Sequence, residues 1–395
     1  VTQPDWTKPH YKAISYLRFL GPRDPSRDAS DPWAPCESAA APSKAHSREG
    51  CASAASARAA PPPSPSSLRK RSYLLGFDEH RRHAPIVVAG HVDCFQLFED
   101  GEVLVKKTRA SELEAYASLH GTYLESFVPK CYEAHEHGQD VVLFLENLTA
   151  RMHQPVVMDI KMGTRTFQEK EGDNPKLRPD LVKKLLHLPE GRALLTPSEI
   201  TSGCTKVRYM QIREQITTSG SRGFRIEGMY LGSRVIPREQ FRSLREEAQL
   251  CDALRTFVGH RTFDPGSRIR PLLARLRELR TSLAGSGWFR RHELLSSSLL
   301  FVYDAAAKPA APPSIYMIDF ARCRQTKHDL THTLAWVPGN REDGFLFGLD
   351  NLIELFEHVS LEAGEVWEAE ERGEAEEKGD VGEAGEAGEA GEAGE

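Results

Sequence analysis

The sequence predicts an α+β fold in two lobes, from three observations. Strand-like segments cluster in the first half of the chain, helix-like segments dominate the second, and a pair of strands returns near the end. Alternating apolar residues predict strands over 85–97 and 102–107, followed by a helix through "SELEAYASLHG" (111–121). "DVVLFLE" (140–146) and "PVVMDIKMG" (155–163) are the next strand signals. Residues 168–222 carry few strand signals and are read as helices and loops. "GFRIEGMYL" (223–231) returns to strand, and helices are expected over 237–258 and 267–284. "SSLLFVYD" (297–304) and "IYMIDF" (315–320) form the late strand pair, and "GFLFGLDNLIELFEHV" (344–359) closes the fold as an amphipathic helix.

Composition sets the outer limits. Residues 22–72 are dominated by Ala, Ser, Pro and Arg, too poor in large apolar side chains to build a core, and are read as disordered. A "GEA" repeat ends the chain, where glycine at every third position opposes helix. The organisation expected is therefore an extension over 1–72, a folded domain over 73–360 and an acidic tail over 361–395. The net charge of -6 hides a division: the tail carries fourteen acidic residues against two basic ones, so residues 1–360 are net basic. No apolar run reaches transmembrane length. Seven scattered cysteines lack paired or zinc-type spacing, which fits a reducing, cytoplasmic compartment.

"PVVMDIKMG" poses the chemical question. On a strand, Val157, Asp159 and Lys161 share one face, while Val156, Met158, Ile160 and Met162 share the other. The apolar face suits a core, so the charged face must look into something polar. Taken alone, the pair is most simply a structural ion pair on an edge strand. Residues 161–225 add thirteen Lys/Arg against seven Asp/Glu, and clustered cations of this kind match phosphate oxygens. In isolation that segment reads equally as a solvated helical surface. There is no aromatic platform or nucleic-acid motif, so nucleic acid is not the expected partner. Phosphoryl transfer needs a cation on nucleotide phosphates, a carboxylate for metal and cations for the acceptor. "VLVKKT" offers Lys106 or Lys107, "SELEAY" offers Glu112 or Glu114, and "MIDF" offers Asp319 at a strand end. GxxxxGK[ST], GxSxG and HExxH are all absent, which removes P-loop, serine-hydrolase and zincin chemistry.

"PVVMDIKMG" followed by "SSLLF" and "IDF", in this order and separation, resembles the inositol polyphosphate kinase family over about residues 85–358. The long segment before "GFRIEG", together with "NPKLRPDLVKKLL", "KVRYMQIREQITTSGSRGFRIEG" and "WFRRHELLSSSLLFVYD", resembles its 1,4,5-trisphosphate 3-kinases. The resemblance implies a two-lobed kinase with a helical inositol-phosphate-binding insert over about 168–222. It also implies transfer from ATP, with Mg²⁺, to the 3-hydroxyl of inositol 1,4,5-trisphosphate. Carried over, it places Lys106 on ATP phosphates and Glu146, Asn147 and Leu148 at the adenine hinge. Asp159 and Lys161 become catalytic, the first on the ATP side and the second between acceptor and transferred phosphoryl. Asp319 becomes the Mg²⁺ ligand, with Ser298 as its helper. Arg178, Lys206, Arg208, Tyr209, Gln211, Arg213 and Arg322 hold the acceptor. Three positions depart from the family pattern: Arg322 and Tyr230 stand where relatives have Lys, and Ile212 replaces Trp. Two alternatives stand beside this reading, a broader multikinase and a non-catalytic scaffold for anionic partners. "WTKPHYKAISYLRFL" further suggests a basic amphipathic helix over 9–21 of the kind calmodulin takes.

Overall fold

The computed structural model describes residues 12–13, 86, 94–98, 101–137, 140–261, 264–306 and 312–362. The sequence-based readings of 22–72, of the strand segment before Cys94 other than residue 86, and of the "GEA" tail lie outside these residues.

The first sheet is antiparallel and holds β1 (Lys12–Ala13), β2 (Phe95–Phe98), β3 (Val103–Arg109), β4 (Cys131–His137) and β5 (Asp140–Glu146), in the order β1-β4-β5-β3-β2. Helix α1 (Ala110–Leu119) follows β3 directly. Lys12 and Ala13 correct the expected N-terminal helix at those two positions: they are extended and pair with Glu136 and His135 of β4. The edge of β4 presents unpaired backbone groups, and a passing extended segment satisfies them. Sequence reading also missed β4 itself, because "CYEAHEH" is too polar to read as a strand.

The second sheet has the order β11-β10-β6-β7-β8, with β6 (Pro155–Met162) in the middle, β7 (Phe224–Leu231) and β8 (Arg234–Pro237) on one side, and β10 (Ser298–Asp304) and β11 (Ser314–Ile318) on the other. The charged strand is therefore central, not an edge. Its two faces divide as the alternation requires. Val156, Met158, Ile160 and Met162 are fully buried, in one core with α8 (Glu247–Val258), α9 (Gly266–Gly285), Phe289 of α10 (Gly287–Arg290) and the helix over 345–362, α11. The span expected as one helix over 237–258 is broken into α7 (Arg238–Phe241) and α8, separated by a turn through Arg242 and Ser243. A two-strand ribbon, β9 (His292–Glu293) with β12 (Arg324–Gln325), completes the lobe.

The insert folds as short helices: α2 (Pro179–Leu186), α3 (Pro189–Ala193), α4 (Pro197–Ser202), α5 (Lys206–Gln215) and α6 (Thr218–Arg222). Proline stands at the start of the first three, where its missing N–H costs nothing. They close on a small core of their own, Val182, Leu185, Leu195, Cys204, Ile212 and Ile216. Ile212 sits wholly inside it. Glu214 ties this unit to the chain leaving β6, accepting from the Thr166 amide at 2.6 Å and hydroxyl at 2.7 Å.

The end of β6 is held by buried polar contacts. Gly163 has φ +94°, and a Cβ there would stand 2.7 Å from the Asp343 carbonyl, so only glycine fits. Arg165, fully buried, pairs with Glu293 at 2.8 Å and donates to the carbonyls of Phe167 and Arg341 at 2.7 and 2.8 Å. His332 reaches Asp343 at 2.8 Å through Nδ1 and the Phe289 carbonyl at 2.9 Å through Nε2. Two acceptors call for a doubly protonated ring: burial opposes that charge and Asp343 overcomes it, raising the pKa. Asp343 in turn accepts the amide of Phe345 at 3.0 Å, capping α11. Arg165→Ala leaves Glu293 buried without its main partner, and urea denaturation is expected to show a loss of about 3–5 kcal/mol.

Candidate functional site

The pairing of β3 with β5 decides which lysine faces inward. Lys106 is buried and its ammonium meets Glu112 of α1 at 2.7 Å and Asp319 at 2.6 Å. Lys107 points away and pairs with Asp140 at 2.8 Å. Of the two candidate glutamates, Glu112 is fully buried and Glu114 is exposed. Glu112 also accepts from the Thr108 hydroxyl and from the Phe320 amide at 3.2 Å, so one carboxylate joins β3, α1 and the segment after β11. Burial opposes the Lys106 charge, but Asp319 and Glu112 outweigh it and hold the pKa above its usual value. Asp319 responds in the opposite sense: burial would raise its carboxyl, while Lys106 and Lys161 pull it below the usual range. Its backbone is left-handed, φ +67°, a conformation a non-glycine residue adopts at some cost.

Lys106 and Asp319 line a cleft open to solvent. Phe95, Leu104, Leu145, Val157, Leu300 and Ile318 give it flat apolar walls, and Glu146, Asn147 and Leu148 form its rim. Asn147 shapes that rim. Its side chain donates to the Gly101 carbonyl at 2.6 Å and accepts from the Thr149 amide and hydroxyl at 3.1 and 2.9 Å.

The floor of the cleft is β6. Asp159 is buried, and its Oδ1 has no hydrogen-bond partner. Burial pushes its carboxyl up to about 7; Lys161 works against this, and the Asp319 charge adds to it. Ser298 lies across from Lys161 in the ladder with β10, and its buried hydroxyl, outside good hydrogen-bond geometry, lies close enough to Asp159 to lower that carboxyl's pKa. Orphaned oxygens beside the lowered carboxylate of Asp319 are donors of the kind a hard divalent cation takes. No cluster of three or more His, Cys, Asp or Glu side chains exists among the described residues, so any such ion must complete its shell with substrate or water oxygens.

On the far side of Lys161 the insert contributes cations, most of them already engaged. Lys206 and Arg322 converge on Glu171, Lys206 at 2.6 Å. Burial opposes the Glu171 charge, but these partners bring its pKa down to about 2. Arg178 forms a two-pronged pair with Asp180, both contacts 2.7 Å, on the surface. Arg208 is held by Glu199 at 2.8 Å and by the Leu194 carbonyl at 2.8 Å. Tyr209 packs against the insert core, with the Arg213 guanidinium 5.8 Å from its ring centre. Gln211 is half-buried on α5. Tyr230, one of the departures from the family pattern, donates its hydroxyl to the Gly232 carbonyl at 3.0 Å.

Sequence reasoning passed over Arg225, Glu227 and Glu171. A bulge between Asp159 and Ile160 in the β6–β7 ladder sets Arg225 opposite Lys161 and leaves Glu227 as the extra residue. Arg225 and Glu227 pair at 2.6 Å. The alternation in "FRIEG" put the two charges on one face, a signal that was available. Nothing in the sequence marked Glu171 as the partner of two remote cations.

The family model for inositol polyphosphate kinase matches residues 142–357. Mouse (Mus musculus) inositol-trisphosphate 3-kinase C is 36% identical over 298 residues, 73% of this chain and 42% of that protein. Human (Homo sapiens) inositol-trisphosphate 3-kinase A is 34% identical over 279 residues, 69% of this chain and 58% of that protein. The chain thus spans about half the length of these relatives. Among solved structures, the inositol phosphate multikinase Ipk2 of S. cerevisiae, in complex with ADP and Mn²⁺, aligns at a TM-score of 0.46 and 20% identity, covering 65% of this chain and 99% of that one.

Asp159 also yields a stability prediction. Its folded pKa lies above that of an unfolded aspartate, so folding favours the protonated form and stability falls as pH rises from about 4 through about 7. Asp159→Asn removes that cost. Chemical denaturation of the ligand-free protein is expected to show a gain of about 1–3 kcal/mol near pH 8 that shrinks toward pH 4.

Proposed function

Because the chain belongs to the inositol polyphosphate kinase family, we propose that it is an ATP- and Mg²⁺-dependent kinase that phosphorylates the 3-hydroxyl of inositol 1,4,5-trisphosphate, giving the 1,3,4,5-tetrakisphosphate. The observation that carries this reading is the arrangement of Lys106, Asp319, Asp159 and Lys161. Lys106 and Asp319 meet in an apolar-walled cleft that Asp159 also lines, and Lys161 stands two residues on along the same face of β6. Relatives named as trisphosphate 3-kinases support the choice of acceptor.

In this reading adenine lies between the apolar walls, against the rim at Glu146–Leu148. Lys106 moves from carboxylate partners to ATP phosphates. Asp319, with Ser298 nearby, would hold Mg²⁺, which when bound would supply neutralisation of phosphate charge. Asp159, whose pKa sits close to neutrality, accepts or orients the proton of the acceptor hydroxyl. Lys161 faces the transferring phosphoryl from the acceptor side, and its fixed charge costs no reorganisation when negative charge develops. Lys206, Arg208, Arg213 and Arg322, with Tyr209, Gln211 and Arg178, hold the inositol phosphates. The substrate's own phosphates compete for Lys206 and Arg322 with Glu171, which therefore screens out weaker anions.

A broader multikinase is the second reading. It is favoured by Arg178, whose guanidinium is turned to Asp180 on the surface rather than toward the cleft.

The test is incubation of the full chain with Mg²⁺·ATP and a panel of inositol phosphates, with product isomers separated by anion exchange. Conversion of the 1,4,5-trisphosphate alone is the expected result. Turnover of several acceptors moves the protein to the multikinase, and no turnover with any acceptor overturns both readings. Lys161→Ala is expected to lower kcat by about 10²–10³-fold with the circular dichroism spectrum and Tm unchanged.

A further inference from the structure

His332 is a buried titratable group that the proposed chemistry leaves unused. Its ring is enclosed and stacked on Phe289 of α10, with ring centres 3.8 Å apart. Both ring nitrogens face acceptors, Nδ1 the Asp343 carboxylate at 2.8 Å and Nε2 the Phe289 carbonyl at 2.9 Å. A neutral imidazole has one N–H, so only the charged ring makes both bonds. Its backbone is left-handed, φ +59°, and the Glu342 carboxylate takes its amide at 2.7 Å. A strained backbone persists only where the surroundings over-determine it, which is how functional geometry is held.

What His332 orients is Asp343, and Asp343 reaches both strands at the catalytic floor. Its carbonyl accepts the Thr164 amide at 2.7 Å, in the turn that ends β6. Its Oδ2 accepts the Leu294 amide at 2.7 Å, on the segment leading into β10. Its Oδ1, shared with His332, accepts the Phe345 amide at 3.0 Å. Lys161 stands three residues before Thr164 and faces Ser298 of β10 in the ladder. The Met162 amide also donates to the Ser297 carbonyl at 3.0 Å, so the end of β6 and the start of β10 are coupled.

The charges facing the ring favour its cation. Burial works against it, and Asp343 with Glu342 outweighs that, so the pKa lies above the usual histidine value. Arg165, on the Glu342 side, is neutralised by Glu293 at 2.8 Å, and Arg341 lies 3.6 Å from the same carboxylate. His292 on β9 would repel the ring only if protonated, and burial lowers its pKa. Burial pushes the Cys323 thiol near Asp343 up, which keeps it neutral. A group whose folded pKa is raised above 6.5 contributes fully below that pH and loses its contribution as pH rises through the folded value.

We propose that His332 is a positioning residue for Lys161: its imidazolium locks Asp343, and loss of its proton at alkaline pH loosens the Gly163–Thr164 turn and lowers turnover. The proposal rests on the kinase reading above and adds a dependence on pH to it. Two separate groups then bound the rate profile, Asp159 on its acid side and His332 on its alkaline side.

The experiment follows the full chain by nitrogen NMR of labelled histidine and by kinetics, from about pH 6 to about pH 10, a range that spans a raised histidine pKa. The variant is His332→Asn. Asparagine tolerates the left-handed backbone, and its amide replaces the Nδ1 donor toward Asp343 while leaving the Phe289 carbonyl unmet. In wild type without substrate, the ring is expected to be charged at neutral pH. The Thr164 amide resonance is expected to move with the same midpoint as the ring. With Mg²⁺·ATP and inositol 1,4,5-trisphosphate, kcat is expected to fall about ten-fold through that midpoint, with both KM values within about two-fold. His332→Asn is expected to show the low kcat already at neutral pH, with no alkaline limb at that midpoint. A ring that is neutral at neutral pH overturns the proposal, and so does a Thr164 amide that ignores the ring's titration. Both are read without turnover and without the variant, since proximity to Phe289 also identifies the ring signal. A variant whose Tm falls while its kcat and alkaline limb match wild type overturns the proposal too, because His332 is then only structural. A Thr164 amide that follows the ring in a protein that phosphorylates no inositol phosphate supports the lock and overturns the kinase reading instead.

Discussion

The buried ammonium of Lys106 is the constraint on which the site depends. A lysine inside a protein must find carboxylates or lose its charge. Here it finds two, from opposite directions: Glu112 on the helix after its own strand, and Asp319 at the end of a strand in the other sheet. Those contacts require the first sheet, α1 and the β10–β11 pair to meet at one point. Glu112 extends the meeting by accepting the Phe320 amide, which holds the turn that gives Asp319 its left-handed backbone. The cleft is thus shaped before any nucleotide enters it, and a phosphate arriving there exchanges one set of anions for another around the same cation.

The second organising element is the division of β6 into two faces. Its apolar face is fixed by contact with α8, α9 and α11, so the register cannot slip without burying Asp159 and Lys161 in that core. The bulge opposite Asp159 adds a residue to β7 and turns Arg225 and Glu227 to the same side as Lys161. Gly163 lets the chain turn away against the Asp343 carbonyl, and the contacts of Arg165 and His332 hold that turn from behind. The floor is therefore rigid where charge must be placed accurately.

The helical part over 168–222 is built on another plan. The insert has its own small core, and its cations are pre-paired with local carboxylates: Lys206 with Glu171, Arg208 with Glu199, Arg178 with Asp180. Such pairs in partial contact with solvent add little stability. They hold long side chains in place and lower the repulsion among clustered cations until a stronger anion displaces the carboxylate. Arg213 is the exception, half-buried and without an ion pair among the described residues, with the Tyr209 ring beside its guanidinium.

Much of this was legible in the sequence because it depends on local patterning. Alternation along β6 separated the apolar face from the charged one, and the late strand pair was read as such, with Ser298 on one strand and Asp319 directly after the other. Long amphipathic segments, such as the one that became α9, were read nearly to their ends. Short or polar elements were not: β4 carries two histidines and two glutamates, and α7 is a single turn. The choice between Lys106 and Lys107 was beyond local reading, since both fit a strand equally well and only the partner strand and the Asp319 carboxylate select one. The same holds for Glu171, Arg225 and Glu227. A charge acquires its role from what folding brings within a few ångströms of it, and residues 171 and 322 meet only because the insert and the second sheet close on each other. The sequence by itself determined which segments could form strands and helices and where charge would interrupt them. The tertiary structure decided which charges meet, because electrostatic interaction depends on distance through space and not on separation along the chain.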